Sequence, residues 1–143
     1  MRIPGGRWAC GLLVALAVAG CGRTPVTPPG TGARRAAQSF FEALLGREWE
    51  RAYSTVDPGS KARCNAERFS RLAENYRSGL GFLPEAVHVR ACDEQGAEAT
   101  VHVVLTGRAA TKYRRFKDAV ALRRGDQGWH VVLPPNFGRS RQP

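Results

Sequence analysis

Apolar positions recur along this chain at two different periods, and the change falls at Pro84. Upstream, Ala36, Ala37, Phe40, Phe41, Leu44 and Leu45 return at three- and four-residue spacing, which predicts a helix with one buried stripe ending near Gly46. Trp49, Ala52, Tyr53 and Val56 carry the same spacing into a second short helix. Asp57-Pro58 stops it and starts one more turn through Ser60–Arg63. Asn65 stands where it would cap a third main helix bearing Phe69, Leu72, Ala73 and Tyr76, closed by Gly79 and Gly81.

Downstream the period is two. Val87, Val89 and Ala91 alternate with His88, Arg90 and Cys92, and Ala97, Ala99, Val101, Val103 and Leu105 alternate with polar neighbours and Val104. A three-residue loop, Glu94-Gln95-Gly96, brings both apolar sets to one face by pairing Val89 with Val101 and Val87 with Val103. Phe116, Val120 and Leu122 likewise share a face with Trp129, Val131 and Leu133, and a Gly125-Asp126 turn pairs 122 with 129 and 120 with 131. Two hairpins with one apolar face, preceded by helices that must cover it, predict an α+β fold: N-terminal helices packed on an antiparallel sheet of about four strands.

The first twenty residues are of another kind. Arg2 and Arg7 precede an apolar or small run from Trp8 to Gly20, shorter than the ~20 apolar residues of a spanning helix and patterned as a secretory signal. Val18-Ala19-Gly20-Cys21 resembles the bacterial lipobox, whose cysteine is acylated on sulfur and left as the new N-terminus. Cys10 is a poorer match, because Arg7-Trp8-Ala9 before it is too polar and bulky. The competing readings are an ordinary cleaved signal with a coincidental cysteine, or an uncleaved anchor. The expected organisation is a lipoprotein signal peptide over 1–20 and a lipidated Cys21 with a Pro-rich tether over 21–32. A domain over 33–137 and a flexible tail over 138–143 follow. The tether, RTPVTPPGTG over 23–32, would hold the domain within ~30 Å of a membrane at ~3.1 Å per residue. The expected location is the bacterial cell envelope, lipid-anchored and extracytoplasmic.

In the folded part, a helix carrying Phe40-Phe41-Glu42-Ala43-Leu44 runs into Gly46-Arg47-Glu48-Trp49-Glu50-Arg51-Ala52-Tyr53. A helix with Phe69 and Leu72 follows, and the strands end in Gly128-Trp129-His130-Val131-Val132. This order of elements resembles the nuclear transport factor 2-like (cystatin-like) superfamily, in particular its small domains on bacterial lipoproteins, over about residues 33–137. The resemblance is one of pattern and carries no diagnostic catalytic string. It implies a strongly curved sheet wrapped on helices to form a cone, often with a pocket. Members include isomerases, dehydratases, ligand carriers and dimerisation modules, so the fold selects no single function.

Composition narrows the choice further. The 143 residues carry a net charge of +10, and 43% are hydrophobic, so global disorder and multi-domain enzymes are excluded. Removing residues 1–20 takes away two Arg and leaves +8. Most of that charge sits in Arg108, Lys112, Arg114, Arg115, Lys117, Arg123 and Arg124, a basic stripe that can meet an anionic envelope component or stand solvated without a partner. Nucleic acid is not the expected partner of an exported chain. Val104 and Val132, on the outer face, would suit a homodimer packed sheet to sheet.

Asp118 is the one strand carboxylate with inward parity, a candidate acid or base inside the cone, with Tyr53 and Tyr76 as candidate hydroxyl donors. No second inward carboxylate or His accompanies it, so no catalytic residue is assigned. His88 and His102 face each other outward in the expected register, with His130 of the same parity, and lack a third ligand at fixed spacing; no metal site or cofactor is assigned. Cys64 and Cys92, the thiols that remain after processing, form either a disulfide, the favoured reading in an oxidising compartment, or two free thiols. The favoured function is a non-catalytic ligand-binding or protein-interaction domain on a membrane-anchored lipoprotein. The alternatives are an isomerase- or dehydratase-like enzyme working in the cone, and a structural dimerisation module.

Overall fold

The computed structural model describes residues 30–139, so the signal segment, Cys21 and most of the tether lie outside the described residues. Among those residues, α1 (Ala33–Leu45), α2 (Trp49–Ser54), α3 (Pro58–Arg63) and α4 (Ala66–Ser78) precede β1 (Leu83–Gln95), β2 (Glu98–Ala109), β3 (Lys112–Gly125) and β4 (Gly128–Val132). The strands form one antiparallel sheet in chain order. The fold is α+β and cone-like, with the helices on the apolar face.

The helix boundaries follow from local chemistry. The Asp57 carboxylate accepts from the amides of Gly59 and Ser60, at 3.0 and 3.2 Å, and Pro58 fills the first turn of α3. Asn65 caps α4 by accepting from the Arg68 amide at 2.9 Å. The α2–α3 junction also closes the β4 edge. Val56 bridges Val131 in parallel, the amides of Asp57 and Val131 donate to the carbonyls of Val131 and Thr55, and the Leu133 amide donates to Ser60 Oγ at 3.0 Å. Asp57 is itself buried. Asp57→Ala should therefore lower stability by about 1–2 kcal/mol, a fall in melting temperature of roughly 5–10 °C by circular dichroism. A fall below 1 °C would show that the cap contributes nothing to holding the helices on β4.

The apolar face is where alternation put it. Val101, Val103, Leu105, Val120, Leu122 and Val131 are buried, with Val87, Val89 and Phe116 half-buried against the same core. The hairpin registers differ from expectation. The first turn has two residues, Gly96-Ala97, between paired Gln95 and Glu98, and Gly96 takes φ 63° at the position where a II′ turn needs positive φ. This turn and an extra residue at Arg90 together pair Val89 with Val103 and Val87 with Leu105, and Ala97 is an exposed turn residue rather than a core one. The ladder slips at Glu85 and at Arg90, and the second bulge reverses the alternation, so Cys92 rather than Ala91 packs against the core, opposite Val101. In the last hairpin Leu122 pairs with Val131, two places from the expected partner; the parity, and so the buried face, is unchanged.

Two segments thought irregular are tied down. Thr31 donates its hydroxyl to Glu94 Oε2 at 2.7 Å and accepts from Trp129 Nε1 at 2.8 Å, pinning the chain to the sheet end that holds the 96–97 and 126–127 turns. After β4 the chain hooks back over α4. Phe137 stacks on Phe69 and Tyr76 at 5.7 and 5.6 Å, so Gly138, buried, and Arg139 belong to this packed hook and not to a tail.

Candidate functional site

The side chains that α1, α4, β3 and the hook turn toward one another leave a cavity of about 120 Å³. Phe40, Phe41, Phe116 and Phe137 supply aromatic wall, Val120 and Leu133 aliphatic wall, and Asp118 and Tyr76 the polar centre. Asp118 faces in because β3 pairs Val103 with it and Leu105 with Phe116, which keeps the even-numbered residues of β3 on the core side. Tyr76, one turn on from Ala73 along the buried stripe of α4, donates its hydroxyl to Asp118 Oδ2 at 2.7 Å. The other carboxylate oxygen accepts from the Ala119 amide at 2.8 Å. Asp118 has no ion-pair partner among the described residues. Asn75, Asn136 and Arg139 stand at the rim.

This is small for a ligand site. Pockets for drug-sized molecules run to roughly 300–1,000 Å³, so the space fits a molecule of a few heavy atoms. An anionic oxygen in an aromatic wall is complementary to a small organic cation, through charge on one side and ring faces on the other. It also has the make-up of a proton-transfer site, since Oδ2 is oriented by a phenol donor.

The other sequence candidates lie elsewhere. Tyr53 does not line the cavity; its hydroxyl donates to the Cys64 carbonyl at 3.0 Å and Lys61 sits 5.3 Å from its ring centre. The expected Cys64–Cys92 disulfide is not formed, and both thiols are free. Cys64 follows α3, which is fastened to β4, whereas Cys92 is on β1 at the opposite edge. Three strand spacings, roughly 14 Å along the sheet, exceed the ~4.4–6.8 Å that a disulfide spans between Cα atoms. Burial, and then the Glu94 carboxylate beside it, pushes the Cys92 thiol above its usual pKa and keeps it protonated.

His88 and His102 are not opposite each other: His88 pairs with Val104, and His102 with Ala91. His102 lies 3.8 Å from Asp93, and His88 Nε2 lies 3.5 Å from Thr106 Oγ1. No cluster of three or more His, Cys, Asp or Glu able to hold a metal occurs among the described residues.

The seven basic residues are all exposed, but alternation divides them. Arg108, Arg115, Lys117 and Arg123 are on the outer face, with Arg108 and Arg123 3.7 Å from Glu85 and Glu98. Arg114 and Arg124 have the opposite parity, Arg124 lying 5.9 Å over the Trp129 ring, and Lys112 begins β3 beside the 110–111 turn. Sequence reasoning missed the hook residues Asn136, Phe137 and Arg139, whose one signal is an aromatic after Pro134-Pro135.

Comparison with known proteins speaks to the fold. A SEC-C motif containing protein from Rhodopseudomonas palustris superposes with a TM-score of 0.53 at 15% identity, over 68% of this chain and 73% of that one. An NTF2-like transpeptidase from Campylobacter jejuni gives 0.54 at 15% identity, over 70% and 96%. The fold is nuclear transport factor 2-like. A second SEC-C motif containing protein, from Psychrobacter arcticus, gives 0.56 at 11% identity over 72% of this chain and 59% of that one. No family model matches the sequence, and no curated protein matches it. At these identities the likeness extends to the nuclear transport factor 2-like fold alone.

Proposed function

We propose that this chain is a bacterial envelope lipoprotein, acylated at Cys21, whose nuclear transport factor 2-like domain binds a small organic cation in the cavity over Asp118. The observation that carries the ligand reading is the Asp118 carboxylate, held by Tyr76 and facing an aromatic wall without a cationic partner among the described residues. The anchor reading rests on the Val18-Ala19-Gly20-Cys21 signature.

The test uses small ammonium compounds, from methylamine to tetramethylammonium, and their neutral and carboxylate isosteres, in ligand-observed NMR with the full chain. Cations should bind, and Asp118→Asn should weaken them about tenfold or more, since a half-buried charge contact is lost while shape is kept. Equal binding of neutral isosteres, or an unchanged affinity in Asp118→Asn, would defeat the proposal.

The second reading, an isomerase- or dehydratase-like enzyme, draws on the 2.7 Å Tyr76–Asp118 contact. There Asp118 takes a proton from a carbon next to a carbonyl, and Tyr76 orients the base. It is favoured if neutral carbonyl compounds bind and exchange that proton with solvent deuterium, with Asp118→Asn abolishing exchange but not binding.

A further inference from the structure

The sheet face turned away from the helices carries a second feature, whose lining reaches Asp118 from the other side. A depression of about 810 Å³ crosses β1, β2 and β3 on that face, lined by His88, Arg90, His102, Arg115, Lys117 and Tyr113 among others. The register explains the clustering. His88, Val104 and Lys117 lie in one cross-strand row, Ala86, Thr106 and Arg115 in the next, and the bulge at Arg90 turns its guanidinium into the same hollow. Arg90, Arg115 and Lys117 have no salt bridge or side-chain hydrogen bond among the described residues. The outer-face acids are spent at the margins, Glu85 on Arg108, Asp93 on His102 and Glu98 on Arg123.

The next row carries exposed apolar surface on either side of Arg108. Leu83, Arg108 and Tyr113 pair across the three strands, and Leu83 and Tyr113, 59% and 61% exposed, are the large hydrophobic side chains left most open among the described residues. Unpaired cations next to an exposed Leu and Tyr on one face are the composition of a surface that rests on lipid, with basic groups at phosphates and amphipathic or apolar tips at the acyl boundary. A soluble polyanion would use the cations but would gain nothing from Leu83.

We propose that this sheet face docks on an anionic bilayer. This rests in part on the anchor reading given above. Thr31 fixes the chain's exit at the Glu94–Trp129 end of the sheet, and Leu83 and Tyr113 mark the other end, about 40 Å away along a 13-residue strand. The nine steps from Cys21 to Gly30 reach ~30 Å at most. A domain lying flat on this face meets the membrane with the anchor at one end and the Leu83–Tyr113 row at the other, and the cavity, on the helix side, faces away from lipid.

The experiment takes the full chain as the Cys21→Ser variant, which removes acylation, and sediments it with vesicles of phosphatidylcholine alone or with phosphatidylglycerol added. Any affinity of the signal segment for lipid, including that of Arg2 and Arg7 for anionic headgroups, is common to every variant, so the face is read from the difference between variants on the same vesicles. Phosphatidylglycerol should raise binding at least tenfold at low salt, and the gain should shrink at high salt. Arg115→Ser with Lys117→Ser should lose about fivefold per residue, and Leu83→Ser with Tyr113→Ser should lower binding at every salt concentration. Equal binding to both vesicle types would overturn the proposal, as would unchanged binding in the charge variant. So would a sheet-to-sheet dimer that buries the face, or capture by heparin with none by vesicles. The acylated parent, assayed beside it, tests the anchor separately: failure of acylation with lipid-dependent binding intact removes the anchor and leaves the face.

Discussion

One methyl group added at position 107 should loosen the start of the sheet. Gly107 is buried on the core side of β2, opposite Pro84, where the slipped ladder at Glu85 brings the β1 backbone across it. A Cβ there would overlap the Leu83 carbonyl oxygen and lie 2.8 Å from both Leu83 C and Pro84 Cα. These are main-chain atoms, so no side-chain rotation relieves the clash and a strand must move. Gly107→Ala should cost about 3 kcal/mol, the upper part of the overpacking range. It should also remove hydrogen-exchange protection from Ala86–Val89 before any other part of β1. Exchange at those amides indistinguishable from the parent would mean that β1 reaches the edge by another path.

A loss of similar or greater size is expected at Phe69. Its ring is fully buried, 5.3 Å from Tyr53, 5.7 Å from Phe137 and 6.4 Å from Phe40, and so joins α1, α2, α4 and the hook. Phe69→Ala should cost about 3–5 kcal/mol, because the transfer free energy of the ring is lost and four separate elements cannot all collapse into the space. Out of a typical total of about 5–15 kcal/mol, that leaves a marginal domain. Phe69→Leu should keep most of the stability, and urea unfolding of the two variants distinguishes volume from aromaticity. A Phe69→Ala loss below about 1 kcal/mol would show that the hook and helices repack freely. The hook also lines the cavity through Phe137, so the alanine variant should weaken ammonium binding even where it remains folded.

What the sequence carried well is whatever repeats. Alternation over a dozen residues placed Val101, Val103, Val120, Leu122 and Val131 on one wall, and the caps at Asp57 and Asn65 fixed helix starts, because each rests on local geometry. Single-residue events were not legible. One extra residue at Arg90 changes no composition, yet it turned Cys92 inward, and the shorter turn at 96–97 dissolved the expected His88–His102 pair. Asp118 and Tyr76 were each found, one from strand parity and one from helix spacing. Their contact depends on where α4 settles against β3, which no local pattern encodes. Tyr53 has the same helical spacing, but its turn of helix faces the α3 end instead.

The two irregularities in β1 have an effect beyond aiming side chains. This 13-residue strand borders the sheet with one side unpaired, the arrangement most prone to templating a foreign strand. Interruptions at Glu85 and Arg90 leave uninterrupted runs of only four and five residues, and the Arg34 guanidinium already occupies the Val89 carbonyl. An incoming chain would find its hydrogen bonds falling out of step after a few residues. Copies crowded together are thereby kept from polymerising edge to edge.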